Sequence, residues 1–148
     1  MRMFFASLIM ALSVVLSPLA ASADEAEGRL FINLTTDDTW AAAKAIMFAH
    51  QKSLAGGHDT AIWLNVRAVY LADEKRPSHI HGLMAESGMS IQDMLTAFMA
   101  DGGTVLMCQA CSAAAGLTQD DYIDGVEMGS WPVLESWLFA DDVTTLSW

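Results

Sequence analysis

The sequence predicts an α/β protein, a three-layer α/β/α sandwich with a mostly parallel sheet of about five strands. Short apolar runs alternate with stretches at helical spacing from residue 29 to the end of the chain. The runs at 61–66 and 104–107 are almost continuously apolar, which is typical of parallel strands buried on both faces. Glycine pairs at 56–57 and 102–103 end the two longest predicted helices.

The first 23 residues are predicted to be a cleaved signal peptide. Arg2 provides a positive start, residues 3–16 are apolar, and residues 21–23 form an A-x-A cleavage signature. The apolar stretch is shorter than the roughly 18 residues that a membrane-spanning helix needs, so an anchor is the weaker interpretation. We expect cleavage before Asp24, export to the periplasm without membrane attachment, and a single domain over residues 24–148.

The first half of the exported chain predicts two strands and one long helix. Residues 29–34 read as the first strand, and Asp37 and Asp38 lie in a loop rich in helix N-cap residues. A helix over 40–54 and a second strand over 61–66 follow. A charged loop then leads to a short helix over 82–86.

The second half predicts the remaining elements. Ser90 with Asp93 is a capping-box variant before a helix, and a third strand covers 104–107. A short helix is expected from Thr118, a fourth strand over 125–128, and a last helix over 131–140 with proline near its start. Residues 143–146 close the chain as an edge or final strand.

Composition excludes several function classes. Seven basic residues stand against 18 acidic ones, giving a net charge of −11. Affinity for nucleic acid comes from neutralising phosphates with Lys and Arg, so a nucleic-acid partner is not expected. The chain has no Walker loop, no G-x-S-x-G elbow and no G-x-G-x-x-G fingerprint, and no cofactor is predicted.

The two cysteines are the candidate catalytic residues. Cys108 and Cys111 follow the third predicted strand, and in a doubly wound sheet the chemistry collects at the carboxyl ends of the strands. No Lys or Arg lies within thirty residues of Cys108, so a thiolate must be stabilised by backbone N–H groups or by residues distant in sequence. We hypothesise that Cys108 is the attacking and carrying thiol and that Cys111 resolves it as a disulfide.

Two other uses of the cysteines stay open. An inert structural disulfide suits an oxidising compartment, although closing so short a loop contributes only about 2 kcal/mol. Alternatively, a periplasmic Cu(I) site could use both cysteines with Met107, His79 and His81, which are soft or imidazole donors. Zinc would need a second closely spaced pair of ligands.

Several segments resemble one known family. Cys108 with Gly116 eight residues later, the glycine pair before the third strand, and Thr35-Thr36-Asp37 after the first strand match the pattern of the DsrE/DsrF-like family. TusD-like sulfur-relay subunits belong to this family, and the resemblance spans roughly residues 29–148.

The resemblance implies a small α/β/α subunit that assembles into trimers or hexamers. It implies a carrier, rather than a stand-alone enzyme, that holds sulfur as a persulfide on Cys108 and exchanges it with donor and acceptor proteins. Cys111 corresponds to a second cysteine found in part of the family. Ala115 stands where family members usually have an arginine, which removes a positive charge near the thiolate. A non-catalytic interaction subunit is a third possible function, and Trp131, Trp137 and Trp148 are predicted to lie in a subunit interface.

Overall fold

The computed structural model describes residues 28–148, and the predicted signal peptide and its cleavage site lie outside the described residues. Within this range five strands form one sheet in which every neighbouring pair is parallel. The strands are β1 (Arg29–Leu34), β2 (Asp59–Leu64), β3 (Thr104–Cys108), β4 (Glu127–Gly129) and β5 (Val143–Ser147). Their order is β4-β3-β2-β1-β5, with β5 at one edge. The predicted fold class is confirmed.

Four α-helices connect these strands within the described residues. They are α1 (Thr39–Phe48), α2 (Ile91–Ala100), α3 (Gln109–Ala115) and α4 (Trp131–Leu138). The helical path of α1 continues through a π-helical turn, Ala49–Ser53, and a 3₁₀ turn, Leu54–Gly56, so the helix predicted over 40–54 is found with its end wound differently. None of the described helices has the length and apolar character needed to cross a membrane.

Local capping signals define where the helices begin. The Asp38 side chain accepts a hydrogen bond from the Ala41 amide at 2.9 Å. Ser90 and Asp93 form the complete reciprocal capping box that their spacing predicts. Because such bonds satisfy amides that have no partner inside the helix, these short-range motifs set the helix starts independently of tertiary packing.

The chain leaves β2 earlier than its apolar pattern predicts. The strand ends at Leu64, and Asn65 caps a 3₁₀ helix, Val66–Ala72, by accepting the Val66 amide at 2.9 Å. Ala68 and Val69 are fully buried in this helix, as they would be in a strand. The strand predicted to continue to residue 66 is therefore wrong at its end, because burial alone does not distinguish a buried strand from a buried 3₁₀ helix.

Two cores of unequal size lie on opposite faces of the sheet. The larger contains side chains of α1, α2 and the alternate strand residues on that face. The smaller lies under α4 and contains Phe31, Ala61, Leu106, Leu134 and Trp137. This gives the three layers that the sequence predicts. Trp137 is 7% exposed within the single chain, so its burial does not require the predicted subunit interface.

Gly103 lies between α2 and β3 and packs directly against the ring of Phe98 in α2. A Cβ atom at this position would overlap the ring of Phe98, which is fully buried in the larger core. Gly103→Ala is expected to lower the free energy of unfolding by about 1–3 kcal/mol, because a packed core resists an added methyl group. Urea denaturation measures this change.

Gly82→Ala is the matched control, since a Cβ atom there meets nothing within 4 Å. Its effect should stay within about 0.5 kcal/mol of zero, as for other surface substitutions. Equal effects of the two substitutions would contradict the close packing of Gly103 on Phe98.

Candidate functional site

The site lies at the carboxyl edge of the sheet. Cys108 is the last residue of β3 and Cys111 lies in the first turn of α3. Their Cα atoms are 5.2 Å apart and the two sulfurs are paired as a disulfide. Asn33, near the end of β1, and Asn65, just after β2, approach the same edge because parallel strands all end on one side.

Cys108 is the protected member of the pair. Its side chain is 8% exposed and belongs to the larger core. The Sγ atom accepts a hydrogen bond from the Cys111 amide at 3.2 Å, because α3 begins immediately after β3 and turns its first amides back toward this sulfur. The predicted carrying thiol is thus held by the backbone and largely covered by its own chain.

Cys111 is half-buried and lies against the turn that follows β2. Its Sγ atom accepts from the Val66 amide at 3.2 Å and lies 3.1 Å from Asn65 Oδ1. Asn65 is in turn held by Asn33, whose Oδ1 accepts from Asn65 Nδ2 at 3.2 Å. In the reduced protein the Cys111 thiol can donate to Asn65, and as a thiolate it keeps the Val66 amide as a donor.

The Val66 backbone is in an unusual conformation. Its φ of 52° is left-handed, which is a genuine outlier for a β-branched residue, and its side chain is 56% exposed. Such a conformation costs on the order of 1–3 kcal/mol and persists only where surrounding structure imposes it. Here the Asn65 cap and the 3₁₀ helix impose it, and the Val66 amide is shared between Asn65 Oδ1 at 2.9 Å and Cys111 Sγ at 3.2 Å.

A cavity of about 300 Å³ opens beside Cys111. Its lining residues are Val66, Arg67, Tyr70, Cys111, Ala114 and Ala115, and Cys108 is not among them. Arg67 is the only charged side chain among these described lining residues. Arg67 therefore supplies a positive charge in this cavity. The arginine expected from the family resemblance is absent, because Ala115 stands at that position.

Arg67 is held by a bidentate ion pair with Asp37. Its Nε and Nη2 donate to the two carboxylate oxygens at 2.9 and 2.6 Å. The hydrogen bonds from the guanidinium lower the pKa of Asp37, and those to the carboxylate raise the pKa of Arg67. Both groups are therefore charged at neutral pH, and the second terminal nitrogen of Arg67 can still donate to a ligand.

A second network supports the cysteine turn from behind. Buried Ser112 donates to the Cys108 carbonyl at 2.7 Å and lies 2.7 Å from the hydroxyl of Tyr122. Burial raises the pKa of Tyr122, and the hydrogen bond with Ser112 acts in the opposite direction.

The residue before Tyr122, Asp121, forms an ion pair with Lys75. This ion pair and the hydrogen bonds from Thr118 lower the pKa of Asp121 to about 2. The loops flanking the site are thus tied together.

The residues suggested for copper do not converge. The described residues contain no group of three His, Cys, Asp or Glu side chains that could hold a metal ion, so the two cysteines and a histidine do not meet. His81 instead accepts from the Leu83 amide at 3.2 Å and stacks on Trp40. His79 lines a different cavity, and Met107 is fully buried in the core.

Several residues that hold or line the site were not predicted from the sequence, among them Asn65, Val66 and Arg67. Asn65 carries a usable signal, because a polar residue directly after a buried strand lies at the carboxyl edge. Val66 and Arg67 carry no such signal in the sequence. They lie near Cys111 only because the strand register pairs Leu64 of β2 with Met107 of β3.

The parallel sheet and the C-x-x-C pair at its carboxyl edge place this chain among small α/β proteins that carry a cysteine pair at the end of a strand. The model of the DsrE/DsrF-like family matches residues 15–144. The chain belongs to the DsrE/DsrF-like family, as the resemblance of its cysteine loop indicates.

Named relatives agree with this membership. Protein YchN of Escherichia coli strain K12 is 32% identical over 78 residues, which cover 52% of this chain and 67% of YchN. The crystal structure of YchN from E. coli superposes with a TM-score of 0.58 at 25% identity, covering 80% of this chain and 99% of YchN. The protein of unknown function MTH1491 from Methanobacterium thermoautotrophicum gives a TM-score of 0.58 at 13% identity over 82% and 99% of the two chains, which shows the fold alone.

The Ser112 network yields a stability prediction. Ser112→Ala leaves the buried Tyr122 hydroxyl and the Cys108 carbonyl without this partner, and the free energy of unfolding should fall by about 1–3 kcal/mol. Thermal or urea unfolding of the oxidised protein measures it. Ser136→Ala, at an exposed helical serine of α4, is the control and should change stability by less than about 0.5 kcal/mol. Indistinguishable variants would argue against the network.

Proposed function

We propose that this protein is an exported DsrE-like carrier of sulfur or of thiol oxidising equivalents that acts through Cys108 and Cys111. The pair alternates between a disulfide and a state in which one cysteine holds a persulfide. The carrier serves donor and acceptor proteins rather than turning over a substrate alone. Membership in a family that includes sulfur-relay subunits supports this proposal.

The geometry of the pair is the observation that carries the proposal. Each sulfur lies 3.2 Å from a backbone amide that donates to it, the Cys111 amide for Cys108 and the Val66 amide for Cys111. Thiolates are the reactive form of cysteine, and hydrogen-bond donors favour that form. Cys111 also lines a cavity that a small molecule can enter.

An inert bridge accounts less well for these features. A four-residue loop contributes little stability in the chain-entropy model, about 2 kcal/mol. A purely structural disulfide has no use for a strained amide directed at one sulfur or for a cationic residue beside it. Both are present at this site.

Treatment with hydrosulfide tests the proposal. After the reaction and alkylation, the wild-type protein should be heavier than the reduced and alkylated protein by one sulfur atom, about 32 Da, in intact mass spectra. The Cys108→Ser/Cys111→Ser double variant should gain nothing, because it has no other thiol.

The matched control is Ser136→Ala, an exposed serine of α4 outside the site, which keeps both cysteines. It should still gain the sulfur atom under conditions where it remains folded. A wild-type protein that keeps its disulfide intact under excess hydrosulfide and under dithiothreitol would show an inert bridge and end the proposal.

We also propose that the chain forms a homo-oligomer, the trimer or hexamer that the resemblance implies. The support is an exposed aromatic pair at the start and just past the end of α4, where Trp131 is 58% and Phe139 is 71% exposed with their rings 6.1 Å apart. Large apolar groups of this kind are costly to leave in water and favour a contact surface. Light scattering should give at least three times the chain mass, and Trp131→Glu should lower it. A wild-type monomer would contradict this.

A further inference from the structure

The two sulfurs of the disulfide are unequal targets. Cys108 is 8% exposed and lies in the core, whereas Cys111 is half-buried and lines the cavity. A nucleophile opens a disulfide by approaching one sulfur along the line of the S–S bond and expelling the other. From the cavity, the sulfur within reach is Cys111 Sγ.

The buried sulfur is suited to be the leaving group. Cys108 Sγ already accepts a hydrogen bond from the Cys111 amide at 3.2 Å, and this donor stays in place when the S–S bond breaks. A hydrogen bond to the charged form lowers the pKa of a thiol, and a thiol of lower pKa leaves faster. The Val66 amide donates to Cys111 Sγ at the same distance, so the direction of opening depends on access: the cavity reaches Cys111, and Cys108 is the sulfur that leaves.

The positive charge of Arg67 in the cavity favours a negatively charged nucleophile. Arg67 is the charged residue among its described lining residues, and one terminal nitrogen is not used by the pair with Asp37. The cavity, of about 300 Å³, is large enough to admit a small ion. A small anion is therefore attracted to the space directly next to Cys111.

We propose that a small anionic sulfur nucleophile, hydrosulfide in the simplest case, attacks Cys111 Sγ of the disulfide and that Arg67 is the residue that favours the anion. A bond forms between the incoming sulfur and Cys111 Sγ, and the bond to Cys108 breaks. The bonding pair leaves on Cys108 as a thiolate. The disulfide is reduced and the hydrosulfide sulfur is oxidised to the persulfide level, so no other oxidant is needed.

This inference rests on the proposed function and adds a substrate class and a direction to it. It reverses the order predicted from the sequence, in which Cys108 attacks and carries. The incoming sulfur is held on Cys111, beside the Val66 amide and next to the cavity. An acceptor can then remove it without access to the core.

The experiment follows the opening of the disulfide in the protein after signal-peptide removal, residues 24–148. Oxidised protein is mixed with hydrosulfide, quenched with iodoacetamide at short times, and digested for peptide mass spectrometry. The extra sulfur is expected on Cys111, with Cys108 alkylated as a free thiol. The opening rate is also measured with tris(hydroxymethyl)phosphine, an uncharged nucleophile.

Two variants with opposite expected effects isolate the charge. Arg67→Gln should slow opening by hydrosulfide about three- to ten-fold, the size expected for one charge near a partly solvated site, and leave the phosphine rate unchanged. Asp37→Asn frees the guanidinium and should accelerate the hydrosulfide reaction. If the ion pair were merely structural, both substitutions would change the rate in the same direction.

Arg29→Gln is the matched control. It also breaks a bidentate pair, with Asp142, but at the start of β1 on the opposite edge of the sheet. It should leave both rates unchanged. Extra sulfur on Cys108, or equal rates for wild type and Arg67→Gln with hydrosulfide, overturns this inference and leaves the proposed function standing. A disulfide that neither nucleophile opens overturns both.

Discussion

The parallel pairing of β2 with β3 is the constraint on which the site depends. Its register places Leu64 opposite Met107, so the residues that follow each strand meet beyond the same edge of the sheet. Asn65 and Val66 thereby reach Cys111, although they are 46 and 45 positions away in the chain. A shift of one residue would turn the buried side chains of β3 to the wrong face and separate these groups, so core packing and site geometry are fixed by the same register.

The site combines a rigid side and an accessible side. Cys108, Ser112 and Tyr122 form buried contacts that continue the core, and they hold the start of α3 in place. Cys111 faces the strained Val66 turn and the cavity. A two-sulfur carrier benefits from this division, because one sulfur must be reached by small molecules and the other must remain available without reacting with them.

The acidic surface and the cationic cavity do not conflict. The chain carries a net charge of −11, yet charges more than about 8 Å apart are largely screened at physiological ionic strength. A guanidinium that lines the cavity acts on an anion at contact distance, where screening is weak. Asp37 offsets part of this charge.

Short-range patterns were enough to predict one part of this structure. The five strands, the Ser90 capping box and the position of the two cysteines at the carboxyl end of β3 follow from periodicity, capping and glycine placement, which act over a few residues. The exposure of the Cys111 sulfur and the placement of Arg67 in the same cavity depend on the tertiary structure. These depend on how α3 turns back after β3 and on pairing between segments more than forty residues apart, and no local pattern records such long-range contacts.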